Sequence, residues 1–106
     1  MEQEDIEDMF APFGHVSIRR MFSGKGVYVD GRICAIDFGG EFLIKADAQS
    51  ADEIEAAGGV RWSYAHKKTG KPVNMPYWSM PSSAYDDDDE RRHWARLAVE
   101  AAGRAG

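Results

Sequence analysis

The residues that most often carry chemistry, cysteine and histidine, are few and widely separated in this chain. The sequence contains one cysteine, Cys34, and three histidines, His15, His66 and His93. A metal site needs several such ligands brought close together, and neither a Cys-x-x-Cys nor a His-x-x-x-His pair is present. The run of aspartates at 86–89 could attract a divalent cation loosely, but adjacent helical residues do not share a face, which favours a solvated helix start instead. The spacing therefore predicts no metal site.

No nucleophile in the sequence has the partners that catalysis needs. Ser23 follows a predicted strand in a glycine-rich turn, but the Gly-x-Ser-x-Gly elbow is absent. Cys34 lies among apolar neighbours, which favours a buried, inert thiol. Gly24-Lys25-Gly26 is too short for a phosphate-binding P-loop, and a strand rather than a helix follows it. Lys68-Thr69-Gly70 matches the Lys-Thr-Gly motif of penicillin-recognising enzymes, but the Ser-x-x-Lys motif that those enzymes also need is absent from the sequence. We therefore expect neither an enzyme nor a cofactor-binding protein.

A group of aromatic residues lies close to lysines in the second half of the chain. Such aromatics can fill a core, form a partner surface or stack on the bases of single-stranded nucleic acid, and the residues alone leave all three open. The aromatic members are Trp62, Tyr64, Tyr77 and Trp78, and the neighbouring lysines are Lys67, Lys68 and Lys71.

Charge is unevenly distributed along a chain whose formal net charge is -5. Residues 16–34 and 61–81 are basic and the segments around them are acidic. The two basic segments either solubilise the surface or converge into a patch for an anionic partner. An autonomous DNA-binding domain is usually basic overall, which disfavours direct DNA binding as the main role. The predicted contact residues are Arg19, Arg20, Lys25, Lys67, Lys68 and Lys71.

Length and composition predict one domain spanning residues 1–106. With 43% apolar and 29% charged residues the chain matches the average globular domain. No stretch approaches the roughly 18 apolar residues of a membrane span, and the acidic start MEQEDIEDMF is unlike a signal peptide. A single cysteine excludes an internal disulfide, so we expect a cytoplasmic protein without membrane contact.

The patterning predicts an α+β domain of two layers, with helices against one face of an antiparallel sheet. Asp47 is predicted to cap the second helix, and the third helix should begin near Asp86. Pro72 and Pro76 lack amide hydrogens, which predicts that the last strand lies at an edge or pairs irregularly. The order is α-β-β-β-β-α-β-β-α, with a helix at 3–13, strands at 16–22, 27–29, 32–38 and 41–45, a turn at 23–26, a helix at 47–57, strands at 61–67 and 72–80, and a final helix.

Several motifs together resemble the N-terminal domain of the TfoX/Sxy family. Arg20-Met21-Phe22-Ser23-Gly24-Lys25-Gly26-Val27-Tyr28 is similar to the family pattern Arg-Met-Phe-Gly-x-x-Gly-aliphatic-aromatic, with serine at the position where glycine is usual. Phe42-Leu43-Ile44-Lys45-Ala46-Asp47 looks like the family's Leu-Lys-x-Asp strand end. Gly70 to Trp78 resembles its Gly-Lys-x-x-x-Met-x-Tyr segment, with Pro81 as the closing proline. Asp30-Gly31-Arg32 and Trp94-Ala95-Arg96 also agree, so the resemblance covers about residues 10–102.

The resemblance implies a regulatory, non-enzymatic role. Characterised members act as transcriptional co-regulators of DNA-uptake competence, with the cyclic-AMP receptor protein as a proposed partner. They also carry a C-terminal helical domain, which we expect this 106-residue chain to lack. The family offers no catalytic residues to carry over.

Three functions follow as hypotheses, of which a protein-interaction domain is the leading one. The second is direct nucleic-acid binding through a basic patch. The third is a small ligand-binding domain or enzyme, for which His66, Asp37 and Tyr64 would be the first places to look. A homodimer is a further expectation, since an open six-stranded sheet leaves two edges to be covered.

Overall fold

A six-stranded antiparallel sheet and three α-helices form the computed structural model, which describes residues 1–21 and 23–105. The strands lie in the order β1-β2-β3-β4-β6-β5, and the α+β class and the predicted order of elements are confirmed. Strand bounds are β1 Val16–Met21, β2 Gly24–Val29, β3 Arg32–Phe38, β4 Glu41–Lys45, β5 Arg61–Ala65 and β6 Pro72–Ser79. The helices are α1 Gln3–Phe10, α2 Ala51–Ala56 and α3 Asp88–Ala105, and short 3₁₀ turns span Ala11–Phe13 and Ser82–Asp86.

All three helices bury their apolar side chains on the same face of the sheet. Helix α1 contributes Ile6 and Phe10, α2 contributes Ile54, and α3 contributes the predicted stripe that includes Trp94 and Ala98. These side chains pack against alternate strand residues, since successive strand residues point to opposite faces. The core therefore lies between the sheet and one helical layer. No helix in the described part of the chain is long and apolar enough to cross a membrane.

Prolines and glycines explain where the first elements differ from prediction. The predicted helix 3–13 changes to a 3₁₀ turn after Phe10, because Pro12 has no amide hydrogen to continue the α-helical pattern. The predicted turn at 23–26 is wrong from its second residue onward, because Gly24 already pairs with Met21 as the first residue of β2. Phe22, the predicted end of the first strand, lies outside the described residues.

The predicted edge position of the last strand is wrong, whereas its irregular pairing is confirmed. Strand β6 lies between β4 and β5, and its pairing with β5 shifts register between Arg61 and Ser63. Both prolines are tolerated because they sit at ladder ends. Pro72 is the first residue of β6, and the carbonyl of Pro76 accepts the amide of Ala46 just beyond the end of β4.

The helix starts also differ from prediction. Asp47 does not cap α2, since Ser50 occupies the N-cap position. The Asp47 carboxylate instead accepts hydrogen bonds from the Arg104 side chain at 2.6 and 2.9 Å, which ties the end of α3 to the α2 region. Helix α3 begins at Asp88 rather than Asp86, because a 3₁₀ turn takes up the preceding residues.

Candidate functional site: an apolar cleft on the open face of the sheet

The second face of the sheet carries a compact apolar cluster although the helices pack on the other face. Ile36 pairs with Leu43 across β3 and β4, and their side chains therefore share a face. Together with Tyr77 these residues are buried, with relative exposures of 8%, 2% and 6%. Neighbouring strands thus bury apolar side chains on this open face by packing among themselves.

Around this cluster the open face forms a cleft of about 270 Å³, called here the apolar cleft. The rings of Phe38 and Trp62 form one wall, with their centroids 5.8 Å apart. The phenol of Tyr77 is the only ionisable group of the lining, and burial raises its pKa, so it is neutral at physiological pH. The lining residues are Met21, Ile33, Ile36, Phe38, Trp62, Met75 and Tyr77.

Exposed apolar side chains border the apolar cleft on the side of β5. Trp62 also lines a neighbouring hollow of about 330 Å³ that includes Val60, whose relative exposure is 69%. Tyr64, which is 50% exposed, pairs with Val73 and so shares the face of Met75, two residues along β6. Large apolar groups open to water in one region are typical of an interaction surface.

The two layers of the protein differ in charge. The three α-helices together carry eleven acidic and four basic residues, whereas the six strands carry six basic and two acidic ones. Arg19 illustrates the basic character of the sheet, since its guanidinium lies over the ring of Tyr28 at 4.8 Å from the ring centroid. Of these charged strand residues, the register places Arg19, Lys45 and Glu41 on the open face, because the others pair with residues of the helix-side face. The open face therefore presents apolar groups with a small excess of positive charge.

Comparison with protein-family models matches the TfoX N-terminal domain over residues 8–102. The chain belongs to the TfoX N-terminal domain family. The matched range includes all six strands and every residue that lines the apolar cleft. No curated protein matches the chain in a sequence comparison. The family resemblance predicted from the motifs is thus confirmed.

The predicted basic contact residues of this TfoX N-terminal domain fall into two separate groups. Arg19, Arg20 and Lys25 lie on β1 and β2, whereas the three lysines occupy the connection between β5 and β6. Strands β1 and β5 are the two edges of the sheet, five spacings of about 4.8 Å apart, or about 24 Å. The two basic segments do not converge into one patch. The lysines of the second group are Lys67, Lys68 and Lys71, and their role in binding stays a prediction.

The residues proposed for a ligand-binding or catalytic site are also separated. Asp37 lies on β3, three strands away from Tyr64 on β5. The exposed His66 ring accepts the amide hydrogen of Lys68 through Nδ1 at 3.2 Å, as part of the β5–β6 turn. Within residues 1–21 and 23–105, no group of three His, Cys, Asp or Glu side chains is placed to hold a metal ion. The described fold brings no predicted chemical set together.

The aromatic group splits between the two faces. Trp78 is buried in the helix-side core under the guanidinium of Arg61, which lies 4.6 Å from the centroid of its ring. Its neighbour Tyr77 is buried on the open face, and Trp62 is half-buried in the apolar cleft. The core interpretation is thus confirmed for the buried Tyr77 and Trp78, whereas a partner surface at Trp62 and Tyr64 stays a prediction.

Sequence reasoning missed the apolar cleft, although a signal for it exists. Strands β3 and β4 contain the unbroken apolar runs 33–36 and 42–44, where a sheet with one solvated face would alternate apolar and polar residues. Continuous runs indicate strands that bury apolar side chains on both faces. In a two-layer domain, that pattern indicates that the uncovered face is also apolar.

Proposed function

We propose that this TfoX N-terminal domain is a non-enzymatic, regulatory protein-interaction domain that holds a partner protein in the apolar cleft. The observation that carries the proposal is the apolar cleft itself, which opens to water on the sheet face opposite the helical layer. Apart from the neutral Tyr77 phenol, its lining offers no group for acid–base or nucleophilic chemistry.

The cleft has the features of a recognition site for one apolar side chain of a partner. Aromatic residues at the centre of an interface commonly contribute most of the binding energy, and Phe38 and Trp62 are already placed side by side. The methionines Met21 and Met75 in the wall are flexible and adapt to irregular apolar surfaces. Filling the cleft would remove the exposed part of these side chains from water, which favours association.

The charge of the open face indicates which residues of a partner would lie around the apolar side chain that enters the cleft. The open face carries the two basic residues Arg19 and Lys45 and one acidic residue, Glu41, so a partner segment whose carboxylates lie next to Arg19 and Lys45 is complementary to this face. The strand register shows that Arg19 and Lys45 lie on the open face. Lys45 pairs with Tyr77 of the cleft, and Arg19 pairs with Gly26, which pairs in turn with Ile36 of the cleft. Family membership adds the regulatory context of transcriptional co-regulation in DNA-uptake competence, with a transcription regulator such as the cyclic-AMP receptor protein as the partner class.

Site-specific photo-crosslinking in the native cell tests the proposal. A benzophenone amino acid replaces Phe38 in one variant and Tyr85 in a matched control, because these two aromatic residues are similarly exposed, at 37% and 41%. Tyr85 lies on the helix side, where its hydroxyl accepts the amide hydrogen of Phe42. We expect a protein adduct from position 38 that position 85 does not give.

The captured protein is then purified and titrated against the unmodified domain and a Trp62→Ala variant. We expect the Trp62→Ala change to weaken binding by about 30-fold or more, as for a central aromatic anchor. Equal adducts from positions 38 and 85, or an unchanged affinity for Trp62→Ala, would refute the apolar cleft as the docking site.

A further inference from the structure

A second cleft, called here the basic cleft, lies at the ends of β1, β2 and β3 and has a volume of about 320 Å³. Its lining combines the side chains of Arg20, Lys25 and Asp37 with the residues of two hairpin connections. The first connection contributes Ser23, next to Gly24 at the start of β2, and the second contributes Gly39 and Gly40. The basic cleft shares no lining residue with the apolar cleft.

Strand register brings the charged residues of the basic cleft into one row. Arg20 pairs with Lys25 across β1 and β2, and Lys25 pairs with Asp37 across β2 and β3. Residues that pair directly in an antiparallel sheet project their side chains from the same face. Two positive charges therefore stand next to each other, an arrangement that costs stability in the absence of a counter-charge.

The protein itself supplies little compensation for these two cations. Within residues 1–21 and 23–105, no carboxylate oxygen lies within 4.0 Å of the basic groups of Arg20 or Lys25. The one acidic neighbour, Asp37, has its carboxylate 3.8 Å from the ammonium group of Met1. Among the described residues, the pair of cations therefore lacks a carboxylate in direct contact.

The backbone of the two connections leaves room for such an anion. Gly39 and Gly40 have φ values of +61° and +82°, and a Cβ built at either would meet no atom within 4 Å. At Gly24, in contrast, a Cβ would lie 2.4 Å from the carbonyl oxygen of Asp37, so the start of β2 packs directly against β3. Gly24 thus packs closely against β3, whereas Gly39 and Gly40 leave open space beside the basic cleft.

We infer that the basic cleft binds a small phosphate-bearing anion between Arg20 and Lys25. A guanidinium group matches two phosphate oxygens at once, and a lysine ammonium adds a point charge beside it. The Ser23 hydroxyl is a further donor on the lining. Asp37 repels the anion and so limits its affinity, which distinguishes this site from a generic basic surface.

Pyrophosphate titration followed by amide chemical shifts of the ¹⁵N-labelled domain tests the inference, with sodium chloride at equal ionic strength as the reference. We expect saturable shifts at Gly24, Gly39 and Gly40. Arg20→Gln should weaken pyrophosphate binding about tenfold, which corresponds to the loss of a charge-assisted hydrogen bond. Asp37→Asn should strengthen binding about threefold, through the removal of one nearby negative charge.

Lys67→Gln is the matched control, because it removes one positive charge at the opposite edge of the sheet. Its effect should stay within about twofold, as expected for a charge beyond the screening length. Amide spectra of each variant confirm that it folds. Shifts that do not saturate, equal losses in Arg20→Gln and Lys67→Gln, or weaker binding by Asp37→Asn would each overturn the phosphate site.

Discussion

Replacement of Gly24 has a specific expected cost in stability. Its φ lies outside the left-handed region, so the requirement for glycine here is steric rather than conformational. In Gly24→Ala the new Cβ would lie 2.4 Å from the carbonyl oxygen of Asp37 and 3.3 Å from its carbonyl carbon. Both are backbone atoms, which cannot rotate away, and the first distance is about 1 Å inside the optimal non-bonded separation.

The expected change in the free energy of unfolding of Gly24→Ala is the sum of two opposing effects. Overpacking of this kind costs about 1–3 kcal/mol, and the lower unfolded-state entropy of alanine returns about 0.4–1 kcal/mol. We therefore expect Gly24→Ala to lower the free energy of unfolding by about 1–2 kcal/mol. For a domain of this size that corresponds to a fall in melting temperature of about 5–15 °C.

Gly26→Ala provides the control within the same strand. The atoms nearest to its new Cβ are side-chain ends, those of Tyr28 at 3.1 Å and Met21 at 3.2 Å, which can adjust. We expect a change in unfolding free energy within about 1 kcal/mol of zero. Urea and thermal unfolding followed by tryptophan fluorescence measure both variants. A Gly24→Ala protein as stable as the wild type, or no more destabilised than Gly26→Ala, would refute the steric reasoning.

Three further predictions concern the helical layer and the core. Ile54→Ala removes the fully buried side chain of α2 and should cost about 2–5 kcal/mol in urea unfolding, whereas a loss below 1 kcal/mol would contradict its place in the core. Burial raises the pKa of the Cys34 thiol to about 12, so a thiol reagent should modify the native protein far more slowly than the protein in denaturing urea; equal rates would contradict that burial. Hydrogen bonds from Arg104 lower the pKa of Asp47 in the folded protein. This pair therefore stabilises the fold at pH values above the unfolded-state pKa of about 3.9, and the stabilisation is lost as the pH falls through the lowered folded-state pKa. Arg104→Gln should therefore lower stability at neutral pH but not in strong acid, and urea unfolding at the two pH values decides, with an equal loss at both contradicting the linkage.

The charge separation between the layers bears on the nucleic-acid hypothesis. The two edge strands are about 24 Å apart, and Arg20 and Lys25 lie on the helix-side face, because Lys25 pairs with Asp37 and Asp37 pairs with the core residue Phe42. A phosphate backbone would therefore have to reach the helix-side face at one edge of the sheet and the β5–β6 connection at the other. This arrangement fits a protein partner with an apolar anchor better than it fits a nucleic acid.

Local features of the sequence were sufficient for much of the fold. Asp30-Gly31 and Gly39-Gly40 mark hairpins because consecutive residues with positive φ suit two-residue turns, and both turns occur as predicted. The apolar stripe of α3 and the buried thiol of Cys34 likewise follow from patterns within a few residues. The family resemblance rested on ordered motifs, and those need no tertiary contact to be recognised.

Long-range pairing, in contrast, was decided only by the tertiary structure. Nothing local to Pro72 or Pro76 places β6 inside the sheet, because insertion between β4 and β5 depends on residues about thirty positions away. The same pairing puts Tyr77 beside Leu43 and completes the apolar cleft, and it sends the two basic segments to opposite edges. The hydrophobic period and the residue types of turns act over a few residues of the chain. Strand order is set instead by the joint burial of side chains that are far apart in the chain. That order determines which side chains meet on each surface of the protein.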